Sequence, residues 1–232
     1  RQMLLSEDLR FKILQDVAVE FHTSREAFTF TDAKEKIRKE LGPSNQELES
    51  YTRDFLACSF LIRDGNEYVF SHQSIMEYLA ARALRDEMET GQPRWFDELV
   101  MVPAVETFLL ELSPPAERLW GWLGKRVGGH RLAVNVGRLL ITMEAMNLGD
   151  RGGKAHTIWF VFRSEETIAK KLLGVCVDRN ILDPSRGTWS PHGGAALVRF
   201  SVESSACNDE SFIRSLSDLP DIAAVGISEG LA

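Results

Sequence analysis

Residues 58 to 84 read CSFLIRDGNEYVFSHQSIMEYLAARAL. Two short apolar runs, at Phe60 to Ile62 and Tyr68 to Phe70, flank Asp64-Gly65, a dipeptide that reverses the chain between antiparallel strands because glycine tolerates positive φ. The period then changes from two to nearly four. Met76, Leu79, Ala80, Ala83 and Leu84 recur as one buried helical stripe, so a hairpin feeds directly into a long helix. Ser74 followed by Glu77 predicts a capping box at its start. His72 sits in the junction, either as an ordinary turn residue or as a group aimed at a ligand beside the helix N-terminus. There, unpaired N–H groups and partial positive charge favour an anion such as phosphate.

Upstream of the hairpin, residues 7 to 22 follow Ser6 as N-cap and place Leu9, Ile13, Val17 and Phe21 four apart, which predicts an amphipathic helix. FTF at 28 to 30 alternates like a short strand. Asp32 with Glu35 predicts a capped helix that Gly42-Pro43 ends, and Ser44 with Glu47 predicts another through Leu48, Tyr51, Phe55 and Leu56. Helix, strand, helix, helix, hairpin is the winged-helix order, with the hairpin as the wing.

Downstream, Thr90-Gly91-Gln92-Pro93 breaks the pattern. Three helices are expected between Trp95 and Met146, separated by Ser113-Pro114-Pro115 and Gly128-Gly129, and residues 149 to 154 form a candidate linker. Beyond it, TIWFVF at 157 to 162 suits a buried strand. A helix capped by Ser164, a weak strand GTWS at 187 to 190, the strand ALVRFSV, the helix NDESFIRSLSDL and the strand IAAVGIS complete a split ferredoxin-like order. A single LxxLPxIxxVxI stretch at 216 to 227 offers a leucine-rich-repeat edge as the rival, though one copy lacks the neighbours that stacked repeats require. The fold class is therefore α+β and multi-domain: a winged helix over residues 1–90, a helical connector over 91–150 and a small ferredoxin-like α/β domain over 155–232.

Composition limits the functions open to the chain. It has 232 residues and a formal charge of -7, with 12 basic and 17 acidic residues in the first 90. The notable basic clusters are Lys34-Lys36-Arg38-Lys39 and Lys125-Arg126; the first is interleaved with Asp32, Glu35 and Glu40 and reads as a solvated helix face, so nucleic acid is not an expected partner. No window is long and apolar enough for a bilayer span. The cysteines, Cys58, Cys176 and Cys207, are odd in number and have no CxxC spacing, which points to a reducing cytoplasm rather than a disulfide or zinc framework. Cys58 reads as a buried apolar cysteine. The chain opens on Arg1 and enters a helix within a few residues, which suggests a piece of a longer polypeptide.

Catalytic constellations are thin. His22, His130 and His156 share no metal-ligand spacing, and His192 in SPHGGA has no partner in sequence. GDRGGKA at 149 to 155 fails as a phosphate loop because Leu148 replaces the leading glycine and Ala155 the magnesium-binding hydroxyl. No catalytic residue, metal or cofactor is assigned within these residues.

The string FSHQSIMEYLAARAL resembles the winged-helix signature of NACHT-type signal-transducing ATPases: a strand ending in Phe-x-His, then Ser, an acidic and an aromatic residue, and paired alanines. RDGNEYVF is similar to the wing of that domain, and AVETFLLEL and RLAVNVGRLLI to the helical segment that follows it in bacterial members. The likeness covers roughly residues 1 to 148 and is strongest over 60 to 84. It implies an ATPase core N-terminal to this stretch, ADP or ATP with Mg as that core's ligand, and His72 as the contact to the terminal phosphate of ADP in the inactive state. It further implies homo-oligomerisation on activation, antiphage immunity, a cytoplasmic location, and a C-terminal sensor of a protein or phage-derived ligand. Two other readings stay open. One is a winged-helix transcriptional regulator with an effector-binding module, against which NQELESYTRDFLA shows mostly acids where a DNA reader needs bases. The other is an α/β enzyme in the last domain, for which no convergent polar set stands out.

Overall fold

The computed structural model of the protein describes residues 4–24, 27–42, 47–125, 127–148, 156–162, 187–192, 194–202 and 222–228. It is an α+β chain of two compact units, one comprising residues 1–90 and 99–113, the other residues 91–98 and 114–232. Residues 91–150, read from sequence as one connector, are shared between them.

In the first unit α1 (Glu7–Thr23) starts where the Ser6 hydroxyl accepts the Leu9 N–H, with Glu7 and Asp8 in the first turn where negative charge is favourable. Ile13 and Val17 of the expected stripe are buried, but Leu9 and Phe21 are only half-buried; Leu14, Ala18 and Val19 join the buried face because α1 packs on both α2 (Phe30–Leu41) and α4 (Gln73–Thr90). Strand β1 is only Phe28–Thr29. The cap of α2 is Thr29, not Asp32: the Asp32 N–H donates to Thr29 Oγ1 at 3.3 Å and the Thr29 N–H to Asp32 Oδ2 at 2.7 Å. Asp32 thus fills the N3 role of a capping box one turn earlier than expected, while Glu35 instead pairs with Arg38 at 2.7 Å. Helix α3 (Leu48–Ala57) has Glu47 at its N-cap without a side-chain cap; the Ser44 reading lies outside the described residues.

The hairpin is formed by β2 (Leu61–Asp64) and β3 (Glu67–Phe70), with β1 added on the other side of β3 in the antiparallel order β1-β3-β2. Gly65 has φ of 62°, at the first of the two loop residues, where a type II′ hairpin turn needs it. The register pairs Leu61 with Phe70 and Phe28 with Tyr68. Phe21 of α1 meets Phe28 and Phe70 at ring-centroid distances of 6.5 and 5.6 Å, which ties the sheet to that helix. Helix α4 buries Leu79, Ala80, Ala81, Ala83, Leu84 and Met88, and its alanines let α1 and α6 (Pro103–Glu111) come close. The expected continuous helix from Trp95 onward is broken. Pro103 is tolerated at the first helical position but pushes Val102 to extended backbone, with ψ of 155°, so α5 (Arg94–Glu98) and α6 are separate.

In the second unit α5, α7 (Ala116–Gly124) and α8 (His130–Leu148) accompany a sheet of β4 (His156–Phe162), β5 (Gly187–His192), β6 (Ala195–Val202) and β7 (Ile222–Ser228). Its order is β5-β6-β4-β7, every neighbour antiparallel. All four expected strands are present. β5 runs on through Pro191, which an edge strand permits. The antiparallel pairing of β7 with β4 is not the parallel stacking that a leucine-rich repeat would need. The helices expected after Ser164 and at NDESFIRSLSDL lie outside the described residues.

Asp97 organises the helices of this unit. Its carboxylate accepts the N–H of Gly129 at 2.9 Å and of Leu132 at 3.2 Å, capping α8 from another helix, while Asn135 donates to the Phe96 carbonyl at 2.8 Å. A Cβ on Gly129 would lie 2.9 Å from Asp97 Oδ1, so any larger residue there would displace the capping carboxylate. Asp97→Ala is expected to cost about 1–2 kcal/mol in denaturant unfolding, with Asp97→Asn recovering part of it; equal stability of all three proteins would show that this cap contributes nothing.

Candidate functional site

The junction at residues 70 to 78 is built from the hairpin upward. Ser71 N–H donates to the Phe60 carbonyl at 2.8 Å, extending the ladder one residue past β3. The chain then turns, and the His72 carbonyl accepts the N–H of Ile75 at 3.1 Å and of Met76 at 3.4 Å. His72 is therefore the N-cap of α4, and its own side chain completes the cap: Nδ1 accepts the Ser74 N–H at 3.1 Å. The sequence expectation of a Ser74–Glu77 capping box is corrected here. Ser74 lies two residues past the N-cap, and its backbone is the donor; Glu77 is buried and accepts from the Gln73 amide at 2.8 Å. Imidazole is not among the preferred cap side chains, so the signal for this cap is weak in sequence.

That hydrogen bond has a chemical consequence. A nitrogen that accepts carries a lone pair, so in the neutral ring the proton is on Nε2. The ring is exposed, and capping uses only Nδ1. His72 thus combines a fixed tautomer with an N–H donor at a helix N-terminus, an arrangement able to donate to an anion without charging the ring. Of its neighbours, Ser71 is exposed and Ser74 half-buried; Tyr78 packs edge-on against Phe108 at 5.8 Å, the role of a packing residue.

The other candidates fall elsewhere. Cys58 is exposed at the C-cap of α3, its N–H donating to the Asp54 and Phe55 carbonyls, and so is not the buried apolar cysteine expected; the chain is leaving a helix there rather than entering the core. His130 opens α8 and is exposed, His156 opens β4, and His192 closes β5 opposite Ala195. The GDRGGKA stretch lies outside the described residues. Among the described residues no group of three or more His, Cys, Asp or Glu could hold a metal ion, and no helix is long and apolar enough to cross a membrane. His22, which has no metal-ligand spacing in the sequence, is half-buried in α1 with Nε2 lacking a hydrogen-bond partner among the described residues. Its position one residue after Phe21, on the expected apolar stripe, was the available signal. No family model, curated protein or solved structure matches the chain.

The capping role can be separated from any ligand role. His72→Ala is expected to lower stability by roughly 0.5–1 kcal/mol, whereas His72→Asp, whose carboxylate caps a helix well, is expected to keep it. Equal denaturant midpoints for wild type and His72→Ala would remove the cap from the description.

Proposed function

We propose that this chain is the regulatory and sensor portion of a NACHT-type signal-transducing ATPase acting in bacterial antiphage immunity. In this reading residues 1–90 form a winged helix that holds the ADP-bound inactive state. The observation that carries it is the exposed Nε2–H of His72, held in one tautomer at the start of α4 by the Ser74 N–H. A donor so placed can reach the terminal phosphate of ADP presented by an ATPase core N-terminal to these residues. Exchange for ATP would change what that donor meets and bias a rigid-body switch between two arrangements.

The strand order supports both fold assignments within the proposal. Helix, strand, two helices and a hairpin, with the first strand beside the last in the order β1-β3-β2, suit a winged helix. Four antiparallel strands in the order β5-β6-β4-β7 suit a ferredoxin-like sensor domain. Chemistry resides in the core, with ADP or ATP and Mg; the residues described supply the phosphate contact and the surfaces for oligomerisation and ligand sensing. A DNA-reading role is less well supported, since the exposed positions of α3 include Glu49 paired with Arg53 at 2.6 Å and leave no net positive stripe.

The test uses the full polypeptide that carries residues 1–232 behind its core. His72→Asp keeps a helix cap but loses the donor and adds a negative charge, so it is expected to release ADP roughly ten- to a hundredfold faster than wild type at unchanged stability, the worth of one hydrogen bond to a charged group. ADP retention equal to wild type, or an upstream sequence without a Gly-x4-Gly-Lys-Ser/Thr loop, contradicts the reading.

A further inference from the structure

Gln15 of α1 donates to Asp86 of α4 at 2.8 Å and Phe21 meets Phe70 just ahead of α4, so the end of α1 lies beside the start of α4, where two ionisable groups, His22 and Glu77, are not used by the site above. His22 is half-buried, and its Nε2 is shut off from solvent without a hydrogen-bond partner among the described residues. Across the helix pair, Glu77 is 7% exposed, and its carboxylate accepts from Gln73 on the same helix. From α2, Lys36 lies 2.6 Å from Glu20, and from the strands Phe28 and Phe70 pack on Phe21, next in sequence to His22.

A sequestered imidazole nitrogen with no acceptor cannot hold a proton cheaply, because the cation would give up water and gain no hydrogen bond. Desolvation accordingly pushes His22 below the ordinary histidine range, and the Glu77 carboxylate offsets this only in part. We propose that His22 and Glu77 form a proton-sensitive latch between the end of α1 and the start of α4, closed while His22 is neutral and loosened when it is protonated. The protonated imidazole is satisfied either in water, which frees the last turn of α1, or by drawing Glu77 away from Gln73, which loosens the turn that follows His72. Both outcomes act on the same end of α4.

The sign follows from linkage. A histidine whose folded-state value is lowered contributes stability that is complete above about pH 6.5 and is lost as the pH falls through the folded-state value. One proton changes the opening equilibrium by at most about tenfold per pH unit in that window. Carboxylates titrate mainly below it, so the interval from pH 7.5 to 5.5 reports chiefly on histidine.

The experiment is NMR on the 232-residue chain. The His22 ring is followed as a function of pH in wild type and Glu77→Gln, and amide-exchange protection factors are measured over residues 17–23 and 75–80 in wild type and His22→Gln. The latch requires His22 to titrate below the free-histidine value, and at still lower pH in Glu77→Gln. It also requires protection in both segments to fall severalfold between pH 7.5 and 5.5 in wild type and to stay level in His22→Gln. A His22 that titrates at or above the free value, or is indifferent to Glu77→Gln, overturns the proposal. So does an acid response that persists in His22→Gln. Should that variant not fold, the wild-type and Glu77→Gln titrations decide the matter alone.

Discussion

The first turn of α4 has N–H groups that no helix carbonyl can satisfy, and one of them is met by the ring of His72. Much of the first unit depends on this junction. The hairpin must end at Phe70 for its ring to reach Phe21, the ladder must continue through Ser71 to Phe60, and the helix must begin at once so that Leu79, Ala80 and Leu84 face α1 and α6. A chain that leaves a strand and enters a helix within two residues needs a side chain that accepts a hydrogen bond at the turn. Here that side chain is an imidazole, and the choice leaves a donor on its far side.

A serine or aspartate at position 72 would cap the helix as well or better. Histidine adds a second nitrogen whose protonation is decided by the first. This makes the residue more than a turn element in the proposed function, and it makes the cap and the phosphate contact complementary rather than rival roles. Glu77, buried one turn into α4, accepts from the exposed Gln73 and places a second polar contact behind the junction. The start of α4 therefore gathers the hairpin, α1 and the exposed ring at one point.

Periodicity and turn chemistry made most elements of the first unit legible in the sequence. Asp64-Gly65 located the hairpin, and the stripe from Met76 to Leu84 located α4. Cap positions were less legible, because Ser, Thr, Asp and Glu recur often enough that several boxes compete. Thr29 displaced Asp32, and His72 displaced Ser74, since the element starts were set by strand pairing at Phe28 and Phe70 rather than by local preference. Val102-Pro103 is a break in the sequence that the apolar run around it masks. Asp97 capping α8 across 32 residues of sequence, and the burial of the His22 Nε2, are tertiary facts with no local pattern. The exposure of Cys58 belongs with them, since burial of one residue at a helix end follows from where the chain exits.

The ring of His72 is also where the account is most directly open to test. Nitrogen NMR of His72 in the full, nucleotide-loaded polypeptide reports both ring atoms at once. The account predicts Nδ1 unprotonated and hydrogen-bonded in every state, with the Nε2 resonance displaced when ADP is bound and relaxing when ADP is exchanged for ATP. An Nε2 resonance that is the same with ADP, with ATP and with no nucleotide would contradict it, as would a ring protonated on Nδ1.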